Sequence, residues 1–443
     1  MNRRSFVGTA LCPAFLAPEV TGCQGKSPDG RSTVARELPP AAENGKLAGM
    51  TLDELRRQYE HDLFEDHLPF HDRYVVNRTY GSFMSATGHD GSHPHTNTTA
   101  SYMGRGIWFY SFLYNNFAQE DAYLDTAARA VGFIMKHRPS GEDYWPDEYT
   151  CEGDVIGSGR GSLPGDCYIA EGLAEYAKAA GEPEYMDLAR ATMLKTFRHY
   201  DDPGFIDSST PYPGARSLWY WMLHMWFGTT TLMHHPDSDL EKIVTRSIDA
   251  IMNYHLNPAF NLMNNVINHD LSRSEDPKHS GMAACGHATE ATWMIMYEAV
   301  RTKDKTLFGR AADMFRRHAV VSKDDVYGGY YNDCRNVDAN DWELNKVSWA
   351  QAFILINSLY IAEHTGAQWA QEIFGDQNIW TQKKLTLKQY GYPGWFEPSD
   401  RFATFVPHAT RKDNYHHPRH LMLNLLSVRR MIERGGKISG VFV

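Results

Sequence analysis

Cysteine is scarce, and what there is lacks pattern. Six cysteines are spread over 443 residues, two of them, Cys12 and Cys23, close to the N-terminus. Cys151, Cys167, Cys285 and Cys334 show no metal-ligand spacing, which argues against a zinc ribbon; whether they are thiols or disulfides stays open. No basic run exceeds short pairs and the formal net charge is −10, which disfavours nucleic acid as a partner. Alternating strand patterns are missing as a set, so the body reads as all-α. Gly157-Ser158-Gly159-Arg160-Gly161 has the wrong spacing for a dinucleotide fingerprint and lacks the Lys-Ser/Thr of a phosphate loop; it reads as a loop. His234, His235, His255, His269 and His279 lack helix or finger spacing for zinc, so no metal is expected. Aromatics are plentiful: eleven Trp and 24 Tyr would serve a large helical core or platforms for sugar rings.

The first residues read as an address. Asn2-Arg3-Arg4-Ser5-Phe6-Val7 resembles a twin-arginine export signal, followed by an apolar stretch from Phe6 to Leu16 too short to span a membrane as a helix. Val20-Thr21-Gly22-Cys23 looks like a lipobox, with Cys23 as the lipidation site. The expectation is an export signal over 1–23, a flexible tether rich in Gly, Ser and Pro over 24–48, and one domain over 49–443. The product would be periplasmic or at the cell surface, touching the membrane only through the lipid, as a monomer or homodimer.

Hydrophobic periodicity predicts helices near 51–67, 102–117, 121–138, 165–180, 184–200, 216–232, 238–254, 285–301, 306–320, 346–364, 367–374 and 416–434. Asp121 and Glu184 fit first turns. The links alternate in length. Phe117 to Asp121, Ala180 to Glu184, Val300 to Thr306 and His364 to Ala367 are short, making antiparallel neighbours. Pro139–Pro164, His255–Ala284, Val321–Asn345 and Phe374–Tyr415 are long. Helix pairs with this alternation fit a closed (α/α)6 barrel, its even helices inside and its long loops crowning one mouth. An open solenoid would show more uniform repeats.

Polar residues out of place in a core gather at the starts of the even helices: Arg105 and Trp108; Asp166 and Cys167; Trp219, Trp221 and His224; His287 and Glu290; Lys346, Trp349 and Gln351; His416, His417 and Arg419. In a barrel these starts share one mouth, and their positive dipole ends favour an anionic intermediate. His287 and Glu290 lie three apart and project from one face of the first turn. A lone histidine there reads equally well as a hydrogen-bonded core residue; a convergent set reads as a pocket with acid/base capacity.

Four stretches, in order, resemble the N-acylglucosamine 2-epimerase superfamily, which includes cellobiose 2-epimerases and aldose–ketose isomerases. They are Arg105-Gly106-Ile107-Trp108 with Leu113-Tyr114, then Gly286-His287-x-x-Glu290-x-x-Trp293. Next comes Gly328-Gly329-Tyr330-Tyr331 with Lys346-x-x-Trp349-x-Gln351, and last Tyr415-His416-His417-Pro418-Arg419. The resemblance runs from about residue 51 to 430 and implies a general acid/base pair, His287 and His416, acting at C2 of an open-chain mono- or oligosaccharide through a cis-enediolate. The chemistry it implies needs no cofactor. It implies Arg105 at the oxyanion, and Trp108, Glu290, Lys346, Trp349, Gln351, Arg419 and His224 as substrate-binding, with His417 structural. Phe353 stands where many members carry a glutamate, Ser348 replaces the first of two tryptophans, and Cys285 sits where a proline often precedes Gly-His. Two other functions stay open: a glycoside hydrolase or polysaccharide lyase using carboxylates among Asp166, Asp333, Asp341 and Glu290, and a non-catalytic anchored sugar-binding protein.

Overall fold

The computed structural model describes residues 38–92, 94–207, 210–388, 398–403, 410–411 and 415–443. The export signal, Cys23 and most of the expected tether lie outside the described residues. The helices are α1 (Leu52–Glu60), α2 (Leu68–Tyr74), α3 (Ala100–Asn116), α4 (Asp121–Met135), α5 (Leu163–Ala180), α6 (Pro183–Asp201), α7 (Leu218–Leu232) and α8 (Ser238–Asp249). After a short α9 (Pro277–Ser280) come α10 (Cys285–Thr302), α11 (Lys305–Ser322), α12 (Ser348–Thr365), α13 (Gln368–Lys384) and α14 (His416–Glu433).

Their starts follow local chemistry. Thr51 and Glu54 form a capping box on α1, Thr99 caps α3, Ser162 caps α5 ahead of Pro164, and Asp304 caps α11. Asp121 and Glu184 do fall in first turns. Inner helices α3, α5, α7, α10, α12 and α14 pack each on the next, and α14 also touches α3, which closes the ring. Outer partners follow as hairpins: α3 with α4, α5 with α6, α7 with α8, α10 with α11, α12 with α13. The last inner helix, α14, packs on the first outer one, α1. This is an (α/α)6 barrel, as the alternating links predict.

Three expectations change. The first helix does not stop near residue 67; it widens into a π turn over His61–His67 and continues as α2. Pro69 has no N–H to donate, and the chain passes it just after that widened turn. Helix α13 runs to Lys384 instead of ending near 374, because the positions it buries there are the polar Gln377, Asn378 and Thr381, which carry no hydrophobic period. Residues 38–48, expected as the end of a tether, are packed: Ala41, Ala42 and Leu47 are buried, and Ala41 N–H donates to the Gly436 carbonyl at 2.8 Å.

The long loops crown the N-terminal ends of the inner helices and are laced together by two-residue strands. Thr98–Thr99 pairs with Glu148–Tyr149, Arg216–Ser217 with Val266–Ile267, and Lys346–Val347 with Pro398–Ser399. Lys346 therefore precedes α12 rather than opening it. Its ammonium is fully buried and meets Asp324 at 2.9 Å and the Arg401 carbonyl at 2.6 Å. Arg401 and Lys346 offset the burial of Asp324 and hold its carboxyl well below the usual range. Cys151, Cys167, Cys285 and Cys334 are free thiols, and no described helix is long and apolar enough to cross a membrane.

Outer helices end in histidines that hold this crown. His255, closing the π turn Ala250–His255 after α8, donates from Nδ1 to the Asn264 carbonyl at 2.9 Å. His318 of α11 donates to Met314 and accepts the Met263 N–H, both at 2.9 Å. Burial pushes both imidazoles down to about 4, against the smaller opposing effect of those backbone bonds. A folded pKa below the unfolded 6.5 means the unfolded chain binds more protons in acid. Stability is therefore complete above about pH 6.5 and lost as pH falls toward 4. Each group contributes at most about 3 kcal/mol at ~1.4 kcal/mol per pH unit. The urea midpoint is expected to fall steadily from pH 6.5 to 4, and His318→Gln to flatten that slope; an unchanged slope removes His318 from the account. Lys346→Met is expected to destabilise the fold by about 2 kcal/mol in urea titration, because Asp324 stays buried with one cation fewer.

Candidate active site

His287 lies in the first turn of α10. Gly286 precedes it because nothing larger fits: a Cβ there would lie 2.0 Å from Asn332 Oδ1 and 3.0 Å from the Trp349 ring. That close approach lets Trp349, one residue into α12, lie nearly parallel to the imidazole, with ring centroids 5.2 Å apart and planes 25° apart. His416 opens α14. Its ring is 6.1 Å from the same Trp349, 5.9 Å from Phe353 and 5.5 Å from Tyr415. Both imidazoles are half-buried and share one indole wall. Burial lowers the pKa of His287; the Glu290 carboxylate opposes this and charge on His416 reinforces it. The two rings thus sense each other.

Beneath them is a buried set of charges. Arg419 donates to Glu290 at 2.7 Å and to the Tyr415 hydroxyl at 2.9 Å. That hydroxyl donates to both oxygens of Glu171, at 2.7 and 2.8 Å, and Trp226 Nε1 donates to Glu171 at 2.9 Å. Burial raises the Tyr415 pKa well above its ordinary value and also raises that of Glu171, although Arg419, Tyr415, Trp226 and Arg105 favour the Glu171 carboxylate. Arg105 of α3 completes the group, its guanidinium 4.1 Å over the Tyr168 ring and 5.2 Å from Tyr415. Two glycines place it: a Cβ at Gly104 would lie 2.3 Å from the Tyr168 carbonyl, and one at Gly172 would lie 2.5 Å from the Gly104 oxygen. Helices α3 and α5 therefore meet backbone to backbone at this height.

The expected residues divide. His287, His416, Trp349 and Arg105 come together at the mouth, with Glu290 and Arg419 joined to each other in the floor. Trp108 is 2% exposed and stacks on Phe112 at 4.8 Å, so it is packing beneath the floor rather than a sugar contact. His224 is fully buried on the outer side of α7, between Thr196 at 3.1 Å and the Tyr220 carbonyl at 2.8 Å. Burial pushes it down to about 4. Gln351 faces α13, where its amide brackets the peptide of Tyr330 at 3.0 and 2.7 Å and meets Gln377. With the buried Lys346, these residues leave no accessible surface for a ligand. Their polarity satisfies loop backbone instead, a demand as strong as any site's. His417 turns away, 5.4 Å from His67.

Glu171 and Tyr168 also belong to the group beneath the two imidazoles, although neither lies in the motifs at the helix starts. A signal existed: Glu171 is a carboxylate in the middle of an inner helix that is buried over most of its length, and buried carboxylates require partners. Asp166, by contrast, is locked to Lys195 at 2.7 Å and to the Trp145 N–H at 2.9 Å, fixing the loop before α5; burial raises its pKa to about 6 against the pull of Lys195.

Known proteins share this fold. Over 144 residues the chain is 28% identical to the cellobiose 2-epimerase of Dictyoglomus turgidum, a match covering 32% of this chain and 36% of that one. The chain thus matches about a third of that relative's length. Among solved structures, the cellobiose 2-epimerase of Spirochaeta thermophila superposes with a TM-score of 0.73 at 14% identity, covering 86% of this chain and 98% of its own. A D-mannose isomerase superposes at 0.71 and 14% identity, covering 85% and 98%. At such identities the likeness is one of fold. The sequence pattern of the N-acylglucosamine 2-epimerase (GlcNAc 2-epimerase) family matches residues 81–418, most of the chain, from before α3 to the first turn of α14, and the chain belongs to that family.

Proposed function

We propose that this protein is a sugar epimerase or isomerase acting on the open-chain form of a reducing mono- or oligosaccharide, with His287 and His416 as its acid/base pair. The observation that carries the reading is the shared wall: both imidazoles lie against Trp349, at 5.2 and 6.1 Å, so one sugar carbon can face both. The carbonyl at C1 acidifies the proton on C2. One imidazole removes that proton and the other returns one to the opposite face, inverting the centre; return to C1 gives the ketose. An imidazole suits both roles because its ordinary pKa, roughly 6.5, lies near neutrality. Arg105 supplies positive charge where the enediolate oxygen develops, a contact stronger in the transition state than in the ground state. Its ring stacking on Tyr168 and Tyr415 fixes the guanidinium plane without neutralising it.

A hydrolase or lyase needs two carboxylates available across the mouth. Of the four candidates, Glu290 is paired with Arg419, Asp166 with Lys195 and Asp341 with Arg335, while Asp333 accepts from the Asn332 amide at 2.8 Å. Three of the four are held by a cation, which weighs against a carboxylate pair. The leader motifs support an exported enzyme tethered through Cys23, a part of the proposal that the mass of the mature N-terminal peptide tests.

The decisive measurement is deuterium incorporation from heavy water at C2 of a panel of reducing sugars. Wild type is expected to label at least one. His287→Ala and His416→Ala are each expected to lose about 100-fold or more of the rate, the usual worth of a positioned acid or base. Undiminished labelling in either variant removes that histidine from the mechanism, and no labelling of any sugar by wild type overturns the reading.

A further inference from the structure

The His287 ring has a second aromatic neighbour. Trp219, in the first turn of α7, lies with its ring 6.5 Å from the imidazole and only 11° from parallel. Helices α7 and α12 flank α10 on either side, so His287 is held between an indole from each neighbour, Trp219 and Trp349. Trp219 is itself braced. It stacks on Tyr220 at 5.3 Å and 28°, and the Tyr220 hydroxyl donates to the Asp207 carboxylate.

Such a sandwich has two consequences. An acid/base imidazole must aim one nitrogen at one carbon, and rotation about its outer side-chain bond would sweep that nitrogen away; two parallel faces leave one plane. An indole face also favours a cation within roughly 6 Å of its centre, by about 0.5–1 kcal/mol where partly exposed. Trp349, at 5.2 Å, is inside that range and Trp219, at 6.5 Å, is at its edge. The charged groups facing His287 are Glu290 on its own helix, with Arg419 behind it, and His416 from α14. Helices α7 and α12 present neutral indoles, so the effect of Trp219 is separable from that of ionic partners.

We propose that Trp219 is a positioning residue for His287, its indole fixing the plane of the imidazole and favouring the protonated ring. It thereby sets the pH range over which His287 exchanges a proton with the sugar. The inference rests on His287 being an acid/base group, and the test separates the two claims. His287 is titrated by NMR in 13C-histidine-labelled, substrate-free protein, its signal assigned by loss in His287→Gln, in wild type, Trp219→Leu and Trp219→Phe. The Leu variant is expected to titrate about half a pH unit lower or more, the equivalent of the lost cation–π contact, with Phe retaining most of the wild-type value. With a sugar that wild type labels, Trp219→Leu is expected to lower kcat about 10-fold, to move the acid limb of kcat/KM the same way, and to leave KM within about twofold. An unmoved titration with a raised KM makes Trp219 a sugar platform and overturns the proposal. So does an unmoved titration with unchanged kinetics. Failure of wild type to label any sugar overturns the catalytic reading alone, since the titration needs no substrate.

Discussion

The mouth of the barrel depends on one buried ion pair, Arg419 with Glu290, and on what Arg419 does with its other edge. One guanidinium edge reaches Glu290 on α10; the other reaches the Tyr415 hydroxyl, which passes its own proton toward Glu171 on α5. Trp226 ties α7 to the same carboxylate. Four inner helices are thus bonded at one height. With Arg105 beside Tyr415 the set holds two carboxylates and two guanidinium groups, which lets it sit out of water. Such a network adds little net stability over an apolar core of the same shape, whereas losing a single member costs several kcal/mol. Its effect is on geometry. Tyr415 immediately precedes His416, so fixing its hydroxyl fixes where α14 begins and where that imidazole stands.

The barrel was legible because its information is local and repeated. Inner helices such as α10 and α12 are buried nearly all round, outer ones such as α8 are strongly one-sided, and the short and long links alternate with them. Where legibility failed, the inward-facing chemistry had changed. The second half of α13 buries amides, and the break suggested by Pro69 is absorbed by a π turn. Residues 41–47 contain too few apolar positions to show a period, yet they fill a gap at the closed end of the barrel.

The site was legible as a set of helix starts and only partly as a set of roles. His287, Trp349, Arg105 and His416 do converge. Lys346 and Gln351 sit in the same motif, three residues before and two after Trp349, which stands at the mouth, but their side chains serve the loop 323–347 and helix α13. Helical spacing states which residues share a turn; it does not state which face of an inner helix looks to the axis when polar groups occupy both. Glu171 was passed over for the converse reason, since its partners Tyr415 and Trp226 lie 244 and 55 positions away and only the fold brings them together.

The histidines show how a structure sorts what composition cannot. Of 21 in the chain, His224, His255 and His318 are wholly enclosed and hydrogen-bonded to backbone. A carbonyl on Nδ1 fixes one tautomer, and enclosure drives the pKa to about 4, so near neutrality they carry no exchangeable charge for chemistry. His287 differs in kind. It is half-exposed, it meets indole faces instead of carbonyls, and its electrostatic neighbours are one carboxylate and a second imidazole. Aromatic faces hold a ring in place while leaving both nitrogens uncommitted, which a hydrogen bond cannot do. Under the proposed mechanism His287 gains and loses a proton in each turnover, which walls of this kind permit, and the Phe353 ring lies 5.9 Å from that of His416.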